Sequence, residues 1–318
     1  MSTSHLSPNR IGKIGSSHIA ALFGRSNWLT RLQLYAHFVD GYDLEKQEDD
    51  RMRIGRLLQD DILQLTIEKT GWELEANPDD SWIDHPDPQY RAGCTLDAWV
   101  RRHEWGLGIA EIKNVDFLRW RDEGWSDEAA PVRVELQLQE QMWVTGAAWG
   151  VIPVLIGGND LRIIPSNNGI VGRRLPLPEV HRSIESALTD FWHRVEHKDP
   201  PPVVGHELEI PALAHLYPEP VLDPTLDLIE DAAFAQLVAD YQWAKEKGKQ
   251  LAALEKEAKI KLLGAMGGSA LARTRGAWVK VGRNRIAGRT QEVKPHTRTE
   301  LTIKPVAGEE QVEMEGIE

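Results

Sequence analysis

The feature that most constrains the fold is a change of period in mid-chain. YRAGCTLDAWVRR, residues 90–102, and GLGIAEIKN, residues 106–114, are short runs of β type joined through HEWG, and they predict a hairpin. The sequence on either side has helical spacing. In a strand alternate residues share a face, so Glu111 and Lys113 point one way and Ile112 the other. A turn near Glu104 sets Asp97 almost directly across from Glu111, on the same face.

Helical patterns precede this hairpin. SSHIAALFG predicts a helix stopped by Gly24, and LTRLQLYAHF begins another, so that 16–38 reads as helical. A second long pattern covers 50–70, with Leu58, Ile62 and Leu65 on one side and Gly71 as its stop. PVRVELQLQEQMWVTGA returns to helix, and VIPVLIGG with LRIIP reads as two further strands. The order predicts an α/β core, a mixed sheet flanked by helices, over residues 1–200. KDPPPVVGHELEIPALAHLYPEPVLDP then reads as an aperiodic linker or strap, assigned to 201–225. A helical segment and a basic β region follow over 226–304; periodicity leaves open whether 226–266 is a helical hairpin or one bent helix. Residues 305–318 form an acidic tail.

Composition narrows the classes of function. At 318 residues and 41% hydrophobic content the chain can bury a core. MSTSHLSPNR holds no apolar leader, and no segment approaches the ~20 apolar residues of a membrane span, so a soluble intracellular protein is expected. The single cysteine, Cys94, excludes an internal disulfide and a zinc knuckle, and is expected to be a small packed residue. A net charge of -12 argues against unspecific attraction to nucleic acid. Yet Arg273, Arg275, Lys280, Arg283, Arg285, Arg289, Lys294 and Arg298 face the single acid Glu292, a basic patch that is either a solvated strand pair or a nucleic-acid contact.

Two carboxylates facing each other across a ladder repel, and Lys113, one step along, is poorly placed to satisfy both. A divalent cation with hard oxygen ligands would satisfy them, Mg²⁺ above all, with the main-chain carbonyl of Ile112 in reach and Mn²⁺ expected to substitute. Such a site lowers the pKa of a bound water and neutralises a phosphodiester oxygen, while Lys113 orients the water. The plainer alternative is the solvent face of an ordinary hairpin. His18 and the pair Trp120 and Trp125 are expected to be structural, and Arg25 and Arg31 ordinary surface residues.

Asp97, thirteen residues, then Glu111, Ile112 and Lys113, inside this order of elements, resembles the PD-(D/E)xK restriction-endonuclease-like fold. Within it the sequence is similar to the phage lambda exonuclease and YqaJ-type viral recombinase family over residues 10–165. RIGKIGSSHIAALFG resembles the family's opening, which implies that Arg10 and Ser17 hold the 5′-phosphate of a DNA end. QLQEQMWVTGA resembles the helix whose glutamine helps place the nucleophilic water, a role that falls to Gln139. The family commonly carries G-x-x-x-E before the hairpin; here the last position is Gln59, a neutral candidate contact that puts two-metal chemistry in doubt.

The resemblance implies a Mg²⁺-dependent 5′-to-3′ exonuclease that resects double-stranded DNA ends for phage-type recombination. It further implies a homo-oligomeric ring, a single-strand annealing recombinase as partner, and the cytoplasm of a bacterial host. Alternatives are a RecB-like or CRISPR-associated endonuclease, and a catalytically weak module that binds DNA ends or a recombinase.

Overall fold

The structure, a computed structural model, describes residues 10–44, 49–75, 81–218, 231–266, 271–274 and 277–280. Expectations for 219–225, for Arg275, for the basic residues from Arg283 onward and for the acidic tail lie outside the described residues. The chain divides into two compact units, Met1–Pro218 and Glu219–Glu318.

The first unit opens with β1 (Ile14–Gly15), a 3₁₀ turn over Ser16–His18 and α1 (Ile19–Leu22). Gly24 adopts φ 61°, which suits glycine and ends the segment where the sequence placed its stop. In α2 (Arg31–Asp40) the Thr30 side chain accepts from the Gln33 N–H and the Gln33 side chain accepts from the Thr30 N–H, a reciprocal cap. Residues 50–70 are two helices, α3 (Asp50–Leu57) and α4 (Gln59–Thr70), rather than the one expected. Leu58, with ψ -3°, turns the chain between them. No residue of α3 is buried, while α4 buries Ile62, Leu63 and Thr66, so the turn lets one helix reach the core that the other does not.

β2 (Glu73–Glu75), β3 (Ile83–Asp84) and β4 (Ala92–Cys94) lead into the hairpin of β5 (Ala98–Arg102) and β6 (Gly106–Ala110). YRAGCTLDAWVRR is therefore not one strand. Its first part, β4, lies between β1 and β3 in a separate three-stranded sheet, and the chain leaves β geometry at 95–97 before β5 begins. β7 (Lys113–Val115), α5 (Phe117–Asp122), α6 (Val132–Thr145), β8 (Gly150–Ile156) and β9 (Asp160–Ile164) complete the core motif. After the small hairpin of β10 (Ser166–Asn167) and β11 (Ile170–Val171), α7 (Pro178–His197) runs 20 residues. The proline-rich stretch holds a further helix, α8 (Glu209–Leu216), which packs on α2 through buried Ala212. Its short apolar run is too brief for periodicity to show.

The main sheet runs β2-β5-β6-β8, with β7 also on β8 and β9 on the far side of β8. Hairpin register pairs Ala98 with Ala110 and Arg102 with Gly106, so the turn falls where the sequence put it. β8 is buried at all seven positions because helices cover both faces. Ile152, Val154 and Ile156 pack with Val134, Leu138 and Met142 of α6; Val151 and Leu155 pack with Ile62 and Leu63 of α4. Gly108 is required beneath Trp149, since a Cβ there would sit 2.3 Å from the indole.

Parallel pairing of β6 and β7 with β8 keeps one register across their gap, Ala110 to Val151 and Lys113 to Val154. Ile112 then faces Pro153, which has no N–H to give the ladder. The strand breaks there, at Glu111 and Ile112.

In the second unit, α9 (Ala232–Met266) is one continuous helix, the outcome that periodicity left open. β12 (Leu271–Thr274) and β13 (Ala277–Lys280) pair as an antiparallel hairpin and include Arg273 and Lys280 of the basic patch.

Candidate active site

The broken ladder puts charge inside the molecule. Ile109 packs on the α6 side of the sheet and Ala110 and Ile112 on the α4 side, so strand alternation sends Glu111 and Lys113 toward α6. Ile112 is core, as the alternation predicted. Glu111 is 2% exposed and ion-paired with Lys113. Gln141, buried on α6, donates to Glu111 Oε2 at 2.6 Å, and Lys113 Nζ donates to Gln137 Oε1 at 3.3 Å. These two glutamines stand four residues apart on one helical face.

Asp97 lies in the bend just before β5, one residue beyond the last hairpin pair, and is part-buried. Its Oδ2 accepts from the Ile112 N–H at 2.7 Å, and its Oδ1 accepts from Gln59 Nε2 at 2.7 Å. Gln59 therefore reaches the site from the first residue of α4, while Asp60 and Asp61 are exposed.

Burial first, then the charge of Glu111, pushes the Asp97 carboxyl up to about 7. For Lys113, burial works against the ammonium form, but attraction to Glu111 and Asp97 outweighs it and holds its pKa above the ordinary value. Two acids and one fixed cation are thus interlocked, which rejects the reading of a solvated hairpin face. Their oxygens, with the main-chain carbonyl of Ile112, are hard donors. That set suits Mg²⁺, an ion that uses one or two carboxylates and keeps its remaining water. Among the described residues no group of three His, Cys, Asp or Glu is placed to hold a metal.

Gln139 is not part of this cluster. It sits about 200° around α6 from Gln137, and its amide is spent elsewhere: Nε2 donates to the Leu175 carbonyl and Oε1 accepts from the Leu177 N–H. The side chain expected to place water instead braces the chain leading into α7. Helical spacing from the E-x-K face would have selected Gln137 and Gln141.

Arg10 stands just before β1, and Ser17 lies in the turn that follows it. The Arg10 guanidinium lies 5.1 Å from the centre of the Trp82 ring, and burial lowers its pKa. His18 is lowered to about 4, by burial first and then by Arg10 and His37, which makes it a neutral packed ring. Trp125 is buried and stacks on Trp120 at 5.8 Å, as core anchors do. Arg31 pairs with Asp190 and Arg25 is exposed. Cys94 is fully buried, and burial raises its thiol.

One residue was not anticipated. Glu140 is 0% exposed and neither carboxyl oxygen has a hydrogen-bond partner; burial first, then Glu111, raises its pKa well above the usual range. Its place between two glutamines on a polar-looking helix stretch gave no sign of such burial.

Residues 7–148 match the family model of the YqaJ-like viral recombinase domain, a stretch that contains Arg10, Ser17, Gln59, Asp97, Glu111 and Lys113. No curated protein matches the chain. Among solved structures, the chain is similar to the alkaline exonuclease LHK-Exo of Laribacter hongkongensis, with 18% identity over 60% of this chain and 91% of that one and a TM-score of 0.44. It is also similar to a phage related exonuclease of Haemophilus somnus 129PT, with 13% identity over 58% and 96% and a TM-score of 0.40.

Proposed function

We propose, on the premise that residues 7–148 match the YqaJ-like viral recombinase domain, that the chain is a nuclease of phage type acting on DNA ends. The finer reading is a Mg²⁺-dependent 5′-to-3′ exonuclease. The observation that carries it is the interlocked charge cluster at the open end of the hairpin, Asp97 and Glu111 against Lys113, inside the family stretch.

Asp97 and Glu111, with the Ile112 carbonyl, would hold the metal. Bound Mg²⁺ supplies a Lewis acid for the phosphodiester oxygen and a more acidic water. The protein does the rest. Lys113 keeps its proton because two carboxylates face it, so it presents a permanent cation to charge building on the phosphorus centre. Gln141 fixes the Glu111 carboxylate and Gln59 fixes that of Asp97, which orients both acids before substrate arrives. Arg10, with Ser17, is the candidate clamp for a terminal 5′-phosphate, since a guanidinium pairs with phosphate in a fixed fork. A homo-oligomeric ring would confine DNA to a locally basic channel on a chain of net charge -12, and an annealing recombinase would receive the product strand. A bacterial cytoplasm is the matching location; no helix among the described residues is long and apolar enough to cross a membrane.

End-labelled linear duplex, with and without Mg²⁺, tests the reading. Release of mononucleotide from the 5′-labelled end only with Mg²⁺, and no cutting of closed circles, is the expected result. Cutting of circles would point to an endonuclease, and no hydrolysis under any condition would leave a binding module.

A further inference from the structure

Every carboxylate oxygen of the acidic pair already accepts a hydrogen bond. Asp97 Oδ1 takes one from Gln59 and Oδ2 one from the Ile112 N–H; Glu111 Oε1 is held by Lys113 and Oε2 by Gln141. An ionised carboxylate offers about four lone-pair directions, so each acid keeps only part of its capacity for a cation. Two of the four donors are glutamine amides, one from each flanking helix.

Charge gives the same limit. Two carboxylates and one ammonium leave the cluster at -1, and one divalent ion turns that to +1. A second would leave +3 beside a Glu111 that is 2% exposed and a Gln141 that is 1% exposed. Uncompensated charge in such a place is strongly disfavoured. The remaining acids are not placed to share it: Asp60 and Asp61 are exposed, Glu140 is buried with neither oxygen hydrogen-bonded, and among the described residues no group of three His, Cys, Asp or Glu is placed to hold a metal.

We infer that this site takes one divalent cation per chain, and that Gln59 and Gln141 hold the count at one by offering donors where a second ion would need acceptors. The inference rests on the nuclease reading above and deepens it. Chemistry at the site then uses one metal together with Lys113, with the ammonium in the place of a second positive centre. Gln59 and Gln141 are positioning residues; they act through the acids they hold.

The test counts Mn²⁺ on the full chain by titration calorimetry, and by electron paramagnetic resonance, which separates isolated Mn²⁺ from exchange-coupled pairs. The native chain is expected to bind one equivalent with an uncoupled spectrum. Gln59→Glu is expected to bind two with a coupled signal, and Gln141→Glu, on the opposite helix, serves the same purpose should the first variant melt early. Two coupled ions in the native chain would overturn the inference while leaving the nuclease reading intact. One ion in the native chain and in both folded variants would overturn the role given to the glutamines. No Mn²⁺ binding at all would remove the metal reading itself, and this proposal with it.

Discussion

The two ends of the β5–β6 hairpin carry similar residues in opposite conditions. At the open end, Asp97, Glu111 and Lys113 are drawn into the protein and held by side chains from α4 and α6. At the turn end, Arg102 pairs with exposed Glu104, and Trp105 has the guanidinium groups of Arg102 and Arg173 at 3.8 Å and 4.9 Å from its ring centre. There Arg101 and His103 line an open cavity of about 450 Å³. Charge at the turn is screened by water and costs little. Charge at the open end is expensive to bury, and a buried ion pair of this kind adds little to stability.

Activity should separate the two ends most sharply. Lys113→Ala is expected to lower the rate of DNA hydrolysis by about 10²–10³-fold at saturating Mg²⁺, the usual cost of losing one group aimed at developing charge. Arg102→Ala at the turn should leave the rate within about twofold. Comparable losses in both variants would erase the distinction between the ends.

A finer contrast lies within α6. Gln141→Leu removes the donor from Glu111 and is expected to weaken Mn²⁺ binding by about tenfold or more, as loss of a ligand's supporting hydrogen bond does. Gln139→Leu frees the Leu175 carbonyl and the Leu177 N–H, which should cost about 1–3 kcal/mol in a denaturant melt with Mn²⁺ affinity unchanged. The opposite pattern would restore Gln139 to the site.

That pair also marks how much the sequence could tell. The hairpin, its register and the facing of Glu111 and Lys113 were legible because they follow from a two-residue period and a short turn, both local. The place of Gln139 was not, because motif matching aligns residues along a line and a helix distributes them around an axis. The break at Leu58 and the strand end before Asp97 depend on what packs where, as does the burial of Glu140. None leaves a signature in local composition. Pro153 is the exception that could have been read, since a proline inside a central strand must interrupt a ladder somewhere.

Acidity gives a third test of the buried end. Asp97 is raised to about 7, against roughly 4 in an unfolded chain, so its proton binds the folded state more tightly than the unfolded one. The stabilisation is fully present below about pH 4 and is lost as pH climbs through about 7. Thermal melts of the metal-free protein should therefore decline across that window relative to Asp97→Asn, while Mn²⁺ affinity rises through the same range because the ion must displace the proton. A difference between native and variant that stays flat with pH would show that Asp97 is ionised throughout.

The smallest effect belongs near the turn. Arg101 and Glu75 pair across β5 and β2, each side chain about two-fifths exposed. Coulomb attraction there is weakened by solvent, and two long side chains lose freedom to make it, so Glu75→Gln should shift stability by less than about 1 kcal/mol and fade further in high salt. The same substitution logic applied to Glu111 would strip Lys113 of a partner that water does not replace. A large, salt-insensitive loss on Glu75→Gln would mean that the turn end is as closed as the open end, and the contrast in burial between them would be lost.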